Sequence, residues 1–204
     1  MGALLMMGGR VFAQDTHEYV DLGLPSGTLW ATCNVGANVP EEYGYYFAWG
    51  ETAPKDVYNR STYQYYYGKN LTKYTGSDGL TILLPEDDAA TANWGNEWCM
   101  PTDEQWQELY YSTTVTWTSQ NGVNGRLFTA SNGHSLFLPA AGYRQDGNLG
   151  SVGSDGGYWS SSLYGGAPFN AWYFYFNSLN YHRENNVPRY GGIPVRAVRY
   201  ARQN

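Results

Sequence analysis

Residues able to do chemistry are few and scattered in this chain. The histidines, His17, His134 and His182, lie far apart, with no HExxH pair and no Cys/His cluster at zinc spacing. There is no Gly-x-Ser-x-Gly elbow and no glycine loop placed before a helix to cradle phosphate. His134 follows Asn132-Gly133 and reads as a turn residue; His182 either contacts a partner or stands idle in solvent. Asp146, Asn148 and Asp155 bracket a glycine-rich segment whose oxygens suit calcium. A bidentate Glu at the right offset is missing there, and Asp and Asn beside glycine also simply make turns. Asp87 and Asp88 precede an alanine pair, where a helix dipole favours acidic side chains, so helix capping explains them better than acid/base catalysis. The pattern is not that of an enzyme, and it asks for no metal or cofactor.

What the chain does offer is recognition chemistry, concentrated in residues 156–200. From Leu163 to Gly192 there are five Asn and five Tyr, interleaved with glycine, His and Arg. Tyrosine supplies broad contact area with little rotamer freedom to lose, and Asn supplies adaptable hydrogen bonds. Between these residues run scaffold-like phrases: Tyr158-Trp159-Ser160-Ser161-Ser162, then Trp172, Phe174 and Phe176, then Pro194 to Val198. Over Ala171 to Asn177 the period is two, which sends Trp172, Phe174 and Phe176 to one face and Tyr173, Tyr175 and Asn177 to the other.

Composition bounds what must hold that region. With 204 residues and no Pro-rich, Ser-rich or charge-run linker, the chain reads as one domain over 17–204, with a display region at about 156–200. Few charges, 25 glycines and 17% aromatic residues suit a turn-rich, mostly β protein. A net charge of −6, with Lys55, Lys69 and Lys73 the only lysines, argues against a nucleic-acid partner. No apolar run is long enough to span a bilayer. Residues 1–16 read as a leader: Leu4 to Met7 are apolar, and Val11-Phe12-Ala13 precedes a cleavage point after Ala13. That reading makes the protein exported, to the periplasm, the cell surface or the medium. A leader with no targeting role is the other reading. Cys33 and Cys99 either pair in an oxidising compartment or stay buried as thiols, and spacing leaves both open.

Along the chain, Tyr19 to Leu22 and Thr28 to Val35 read as strands about a Leu24-Pro25-Ser26-Gly27 turn, and Tyr45 to Trp49 as a third apolar run. Thr52 to Gly79 has no periodicity and reads as a long loop whose tyrosines pack over the body. A short helix is expected after Pro85, stopped by Gly95. A second begins at a capping box, Thr102-Asp103-Glu104-Gln105, with Trp106, Leu109 and Tyr110 on its inner face. Beyond Trp117 the chain turns β, with strands Arg126–Ser131 and His134–Leu138 flanking Asn132-Gly133.

Several phrases, in order, resemble a known family. They are Leu22 to Ala37 (LGLPSGTLWATCNVGA), Pro40 to Gly44 with Tyr46 to Thr52, Asp87 to Ala90, Met100-Pro101-Thr102, Phe137 to Arg144 (FLPAAGYR), Tyr158 to Ser162 and Val195-Arg196. Together they resemble the bacterial major paralogous domain family of exported proteins, from about Tyr19 to Val198. The resemblance implies an α+β domain of C-type-lectin-like fold, related to formylglycine-generating enzymes, with two helices and twisted antiparallel β-sheets. It also implies a kinship with the variable proteins of diversity-generating retroelements, in which adenine-directed mutagenesis rewrites chosen codons near the C-terminus. Such codons yield Asn, Tyr, Ser, His, Asp and Gly but never Lys, Glu, Gln, Met or Trp.

On that resemblance the ligand-binding surface comprises Leu163, Tyr164, Asn170, Tyr173, Tyr175, Asn177, Asn180, Tyr181, His182, Arg183, Asn185, Asn186 and Tyr190, with Trp172 and Glu184 fixed. The departures matter too. The enzyme branch needs a close cysteine pair near its C-terminus, and nothing after Cys99 is Cys. The calcium-dependent sugar triplets of animal lectins are absent, and Cys99 stands where the family phrase has Arg. The expectation is therefore a monomeric, adhesin-like receptor for a protein or glycan ligand. A calcium-independent carbohydrate-binding surface protein is the alternative, and a formylglycine-generating type of enzyme the weaker one.

Overall fold

The structure, a computed structural model, describes residues 17–200, with residues 181–185 described by their backbone alone. The leader and its cleavage point after Ala13 lie outside the described residues.

In chain order the strands are β1 (Tyr19–Asp21), β2 (Thr28–Asn34), β3 (Tyr46–Phe47), β4 (Tyr66–Tyr67) and β5 (Asn70–Leu71). A 3₁₀ turn (Pro85–Asp87) leads into α1 (Ala89–Trp94) and α2 (Asp103–Tyr111). Then come β6 (Thr113–Gln120), β7 (Val123–Ala130), β8 (Ser135–Pro139), β9 (Tyr143–Gln145) and β10 (Asn148–Gly150). The chain closes with β11 (Asp155–Leu163), β12 (Asn170–Asn177), β13 (Tyr181–Pro188), β14 (Ile193–Pro194) and β15 (Arg196–Tyr200).

The α+β expectation, and with it the C-type-lectin-like class, is corrected. The chain is 42% strand and 10% helix, a β-rich and loop-rich fold of several small sheets. The helix signals were sound but local. Asp88 caps α1 by accepting a hydrogen bond from the Thr91 amide, and Gly95, at φ 95°, ends it after six residues. Thr102 and Gln105 close the capping box of α2, but the next residues are Thr113-Thr114-Val115-Thr116. Branched Cβ atoms lose rotamer freedom in a helix and pack well on a pleated surface, so the chain crosses directly into β6. The mostly-β reading of the composition was nearer than the fold implied by resemblance.

Three three-stranded sheets carry the body. In the first, β2 lies between β1 and β15, joining the two ends of the described chain. Arg196 fastens it: its Nε donates to Asn34 Oδ1 at 2.8 Å and Nη1 to the carbonyls of Ala31 and Thr32. The second is the meander β6-β7-β8. The Asn132-Gly133 turn forms between β7 and β8 inside a four-residue loop, Ser131–His134, rather than as a two-residue hairpin.

The third sheet, β11-β12-β13, has a hydrophobic core on each face. Tyr158, Phe174 and Phe176 join Trp30, Trp106, Leu109, Phe128 and Leu138 on one side. Trp159, Leu163 and Ala171 join Phe47, Trp49, Trp98, Ile193 and Val195 on the other. Buried indoles tie the layers together: Trp49 Nε1 donates to the Ser160 carbonyl at 2.8 Å, and Trp159 Nε1 to the Phe47 carbonyl at 2.7 Å. A buried indole N–H left without a partner would be costly, so these bonds set the depth at which β11 sits.

The segment 52–79 is held as the sequence suggests, by tyrosine. Tyr63 and Tyr74 are buried, Tyr65 and Tyr66 half-buried, and Tyr67 is 82% exposed at the β4–β5 tip. Sequence reading missed the residue that organises it, Arg189. Its guanidinium is fully buried and donates to the Tyr63 hydroxyl and to the carbonyls of Lys73, Tyr74 and Pro168 at 2.8–3.1 Å. The rings of Trp49, Tyr63, Tyr65 and Tyr74 lie 4.8–5.8 Å from it, so π-faces and carbonyl dipoles replace the water the cation gave up. Tyr65 and Tyr74 in turn donate to the Asp87 carboxylate, which also takes Lys73.

Candidate ligand-binding cleft

A cleft of 260 Å³ opens where the β9–β10 hairpin, the start of β11, the middle of β12 and the segment 187–193 meet. Two glycines make it possible. Successive residues of a strand point to opposite faces, and at Gly156 and Gly157 both faces lack a side chain. A Cβ at Gly156 would fall 2.1 Å from the Phe176 ring, so that face is filled by core. At Gly157 the atom would meet the Tyr173 ring at 3.3 Å, so the other face carries a tyrosine laid flat over the backbone. The β9–β10 wall turns through Asp146, at φ 52°, and is braced from outside. Asp146 exchanges backbone hydrogen bonds with Tyr58, and its carboxylate accepts from Asn59 Nδ2.

Tyrosine dominates the walls: Tyr143, Tyr173, Tyr175 and Tyr190, with Val187 and Ile193 between them. Tyr173 is pushed up to about 12 by burial, with Tyr175 and Asp155 adding to the rise. Burial also raises Tyr175, against the hydrogen bond its hydroxyl accepts from Asn177 Nδ2 at 3.0 Å, while the Asp155 carboxylate beside it adds to the rise. Both rings therefore stay protonated at neutral pH and offer hydroxyls, not phenolates. Arg144 brings the positive charge. It lies half-buried, its backbone bonded to Gly192 and its guanidinium over the Tyr46 ring at 5.3 Å.

The thirteen residues named from sequence go to different places. Tyr173, Tyr175 and Tyr190 line the cleft. Leu163 is 6% exposed and packs in the core with Trp49 and Trp159, which removes it from any display surface. Tyr164 is half-buried, edge-on to Trp172 at 4.8 Å. Trp172 is itself half-buried, whereas Phe174 and Phe176 are buried. Asn170 donates across the sheet to Asn186 at 2.7 Å, so these two form a pair. Asn177 is a turn-maker: its side-chain oxygen accepts from the amides of Leu179 and Asn180, and its carbonyl accepts from Arg126. Asn180 is exposed in that turn, beside Leu179 at 84%. Tyr181, His182, Arg183 and Asn185 lie on β13, where His182 pairs with Tyr175 and Asn185 with Tyr173 in the backbone register. Their side chains lie outside the description.

Sequence reading missed Arg144, Asp155 and Gly157 as parts of one cleft. Arg144 lies within the hairpin that forms one wall and Asp155 opens the strand after it, and only pairing of β11 with β12 sets Asp155 and Gly157 beside Asn177 and Tyr175. The Asp146, Asn148 and Asp155 set is split by the same pairing, with Asp146 at the hairpin turn and Asp155 opening β11. Among the described residues no group of three or more His, Cys, Asp or Glu side chains is placed to hold a metal. Cys33 and Cys99 are both free thiols; Cys33 donates to the Ala37 carbonyl, and burial pushes Cys99 up to about 12. Among the described residues no helix is long and apolar enough to cross a membrane.

Compared with protein-family models, curated proteins and solved structures, the chain gives no match.

Proposed function

We propose that this protein is an exported ligand-binding module of the major paralogous domain kind, whose Tyr/Asn-rich region over 156–200 is rewritten by a diversity-generating retroelement. The observation that carries the reading is convergence. Three tyrosines from two separate parts of that region, Tyr173 and Tyr175 on β12 and Tyr190 after β13, meet in one cleft. The residues that hold the sheet, Tyr158, Trp159, Phe174 and Phe176, are buried beneath them, with Tyr173 packed edge-on to Trp159. A receptor of this kind binds through rigid aromatic surface and adaptable polar groups, and exchange of the latter leaves the core intact. A macromolecular ligand, protein or glycan, would seat one protruding group in the cleft and lay the rest across β13 and the 177–180 turn.

The test is genetic. A near-copy of the codons for residues 156–200 is expected beside the gene, next to a reverse transcriptase, with mismatches falling at template adenines. They should fall at cleft and β13 codons such as Tyr173, Tyr175, Asn185 and Tyr190. Because Leu163 is core, its codon should match the template, as should those of Trp172 and Glu184. A missing template, or mismatches spread without regard to adenine, would refute diversification.

A further inference from the structure

The edges of the three main sheets are not equally protected. A strand edge with unpaired N–H and C=O groups is a template for another strand, and folds guard it with short strands, proline, charge, bulges or a covering segment. β1 is only three residues long. β15 exchanges backbone hydrogen bonds with Cys99 on its outer side, and β11 is covered by residues 81–83 and by Pro101. β8 has five residues and ends at Pro139, and β13 slips register against β12 and carries Arg183, Glu184 and Pro188. β6 has none of these devices. It runs for eight residues in unbroken register with β7, without charge or proline, and among the described residues no strand or bridge lies on its other side.

The hairpin decides which backbone groups are open. Gln120 and Val123 close on Asn121-Gly122, both at positive φ, the geometry of a two-residue type I′ turn whose closing pair is hydrogen-bonded. Bonding alternates along an antiparallel ladder, so Thr118, Thr116 and Thr114 bond to β7, while Ser119, Trp117, Val115 and Thr113 turn their N–H and C=O groups outward. Side chains alternate too. Val115 and Trp117 pack against the core yet stay half-buried, and Thr114 and Thr116 on the opposite face are exposed. The sequence is nearly symmetric about Thr116. Laid antiparallel on a second copy there, Val115 faces Trp117, Thr114 faces Thr118, Thr113 faces Ser119 and Thr116 faces itself. Aromatic against β-branched, and Thr against Thr or Ser, are favourable cross-strand pairs. The same register gives each outward N–H and C=O of β6 a partner. We propose that β6 pairs antiparallel with β6 of a second copy about a two-fold axis at Thr116, joining two three-stranded sheets into one.

This pairing makes the protein a dimer rather than the monomer expected from its sequence, and it does not rest on the ligand-binding reading above. Where that reading holds, one particle presents two display regions, which strengthens binding to a repetitive surface. Sedimentation velocity of the full chain over a concentration series tests the dimer. The wild type should pass from monomer to dimer as concentration rises. Thr116→Lys sets like charges opposite each other across the axis and should weaken association about tenfold, as should Thr116→Glu, whereas an equimolar mixture of the two variants should recover it. Thr116 is exposed, so both variants should keep the wild-type circular dichroism. A wild-type chain that stays monomeric up to about 1 mM, a dimer indifferent to both variants, or a loss that mixing does not recover would overturn the proposal. Should either variant fail to fold, hydrogen exchange in the wild type decides the matter. The Val115 and Trp117 amides should then be better protected in the dimer than in dilute monomer, and equal protection counts against the pairing.

Discussion

Tyr173 and Tyr175 are two residues apart on one strand and look interchangeable, yet they do different work. Tyr173 packs against the core that holds Trp159, lies over Gly157 and is raised to about 12 by that burial. Tyr175 opens to the cleft and bonds Asn177. Replacing Tyr173 by Ala should therefore cost about 2 kcal/mol of stability, and replacing Tyr175 less than about 1 kcal/mol. Urea melts of the two variants check this, and equal losses would mean that both rings belong to the core. Period two was legible at these positions, because a strand must alternate. What covers each face was not legible, because the covering residues, Phe47, Trp49 and Ile193, come from elsewhere in the chain.

At the scale of elements, buried arginines anchor both ends of β12. Arg126, from β7, binds the carbonyls of Asn177 and Asn180 and fixes the turn that leads into β13. Arg189 binds the Pro168 carbonyl just ahead of β12 and gathers the 52–79 segment through Tyr63, Lys73 and Tyr74. Arg189→Met would take the donor from one buried and two part-buried carbonyls, at a cost of roughly 3 kcal/mol. Limited proteolysis should then cut first within 52–79, with the other sites still protected. A segment as resistant as in the wild type would show that its tyrosines hold it without the arginine. The capping box of α2 was legible because it joins residues three apart, and the short reach of α2 followed from the threonine run of β6. Arg189 gave no signal in the sequence, since its partners lie 21 to 126 positions away.

For the whole molecule, the decisive feature is that both cores share one sheet. Trp49 and Trp98 report on one core and Trp30 and Trp106 on the other, and β11 and β12 contribute to each. Neither core can open without exposing the strands of the other, so unfolding should be a single cooperative transition. Tryptophan fluorescence and far-UV circular dichroism should give one urea midpoint; two separated midpoints would mean that the cores are independent units. The sequence by itself determined what local rules control: the turns, the capped helices, the strand alternation and the β-rich balance of a chain heavy in aromatics and glycine. It also set 156–200 apart as a Tyr- and Asn-rich stretch, the region that the proposed function takes as the recognition surface. Only the tertiary structure decided that Leu163 is core, that Asn177 is a turn-maker and that the Arg144 guanidinium lies over Tyr46. These facts depend on which distant segments come to lie against β11 and β12, and side-chain burial is set by such contacts rather than by neighbours along the chain.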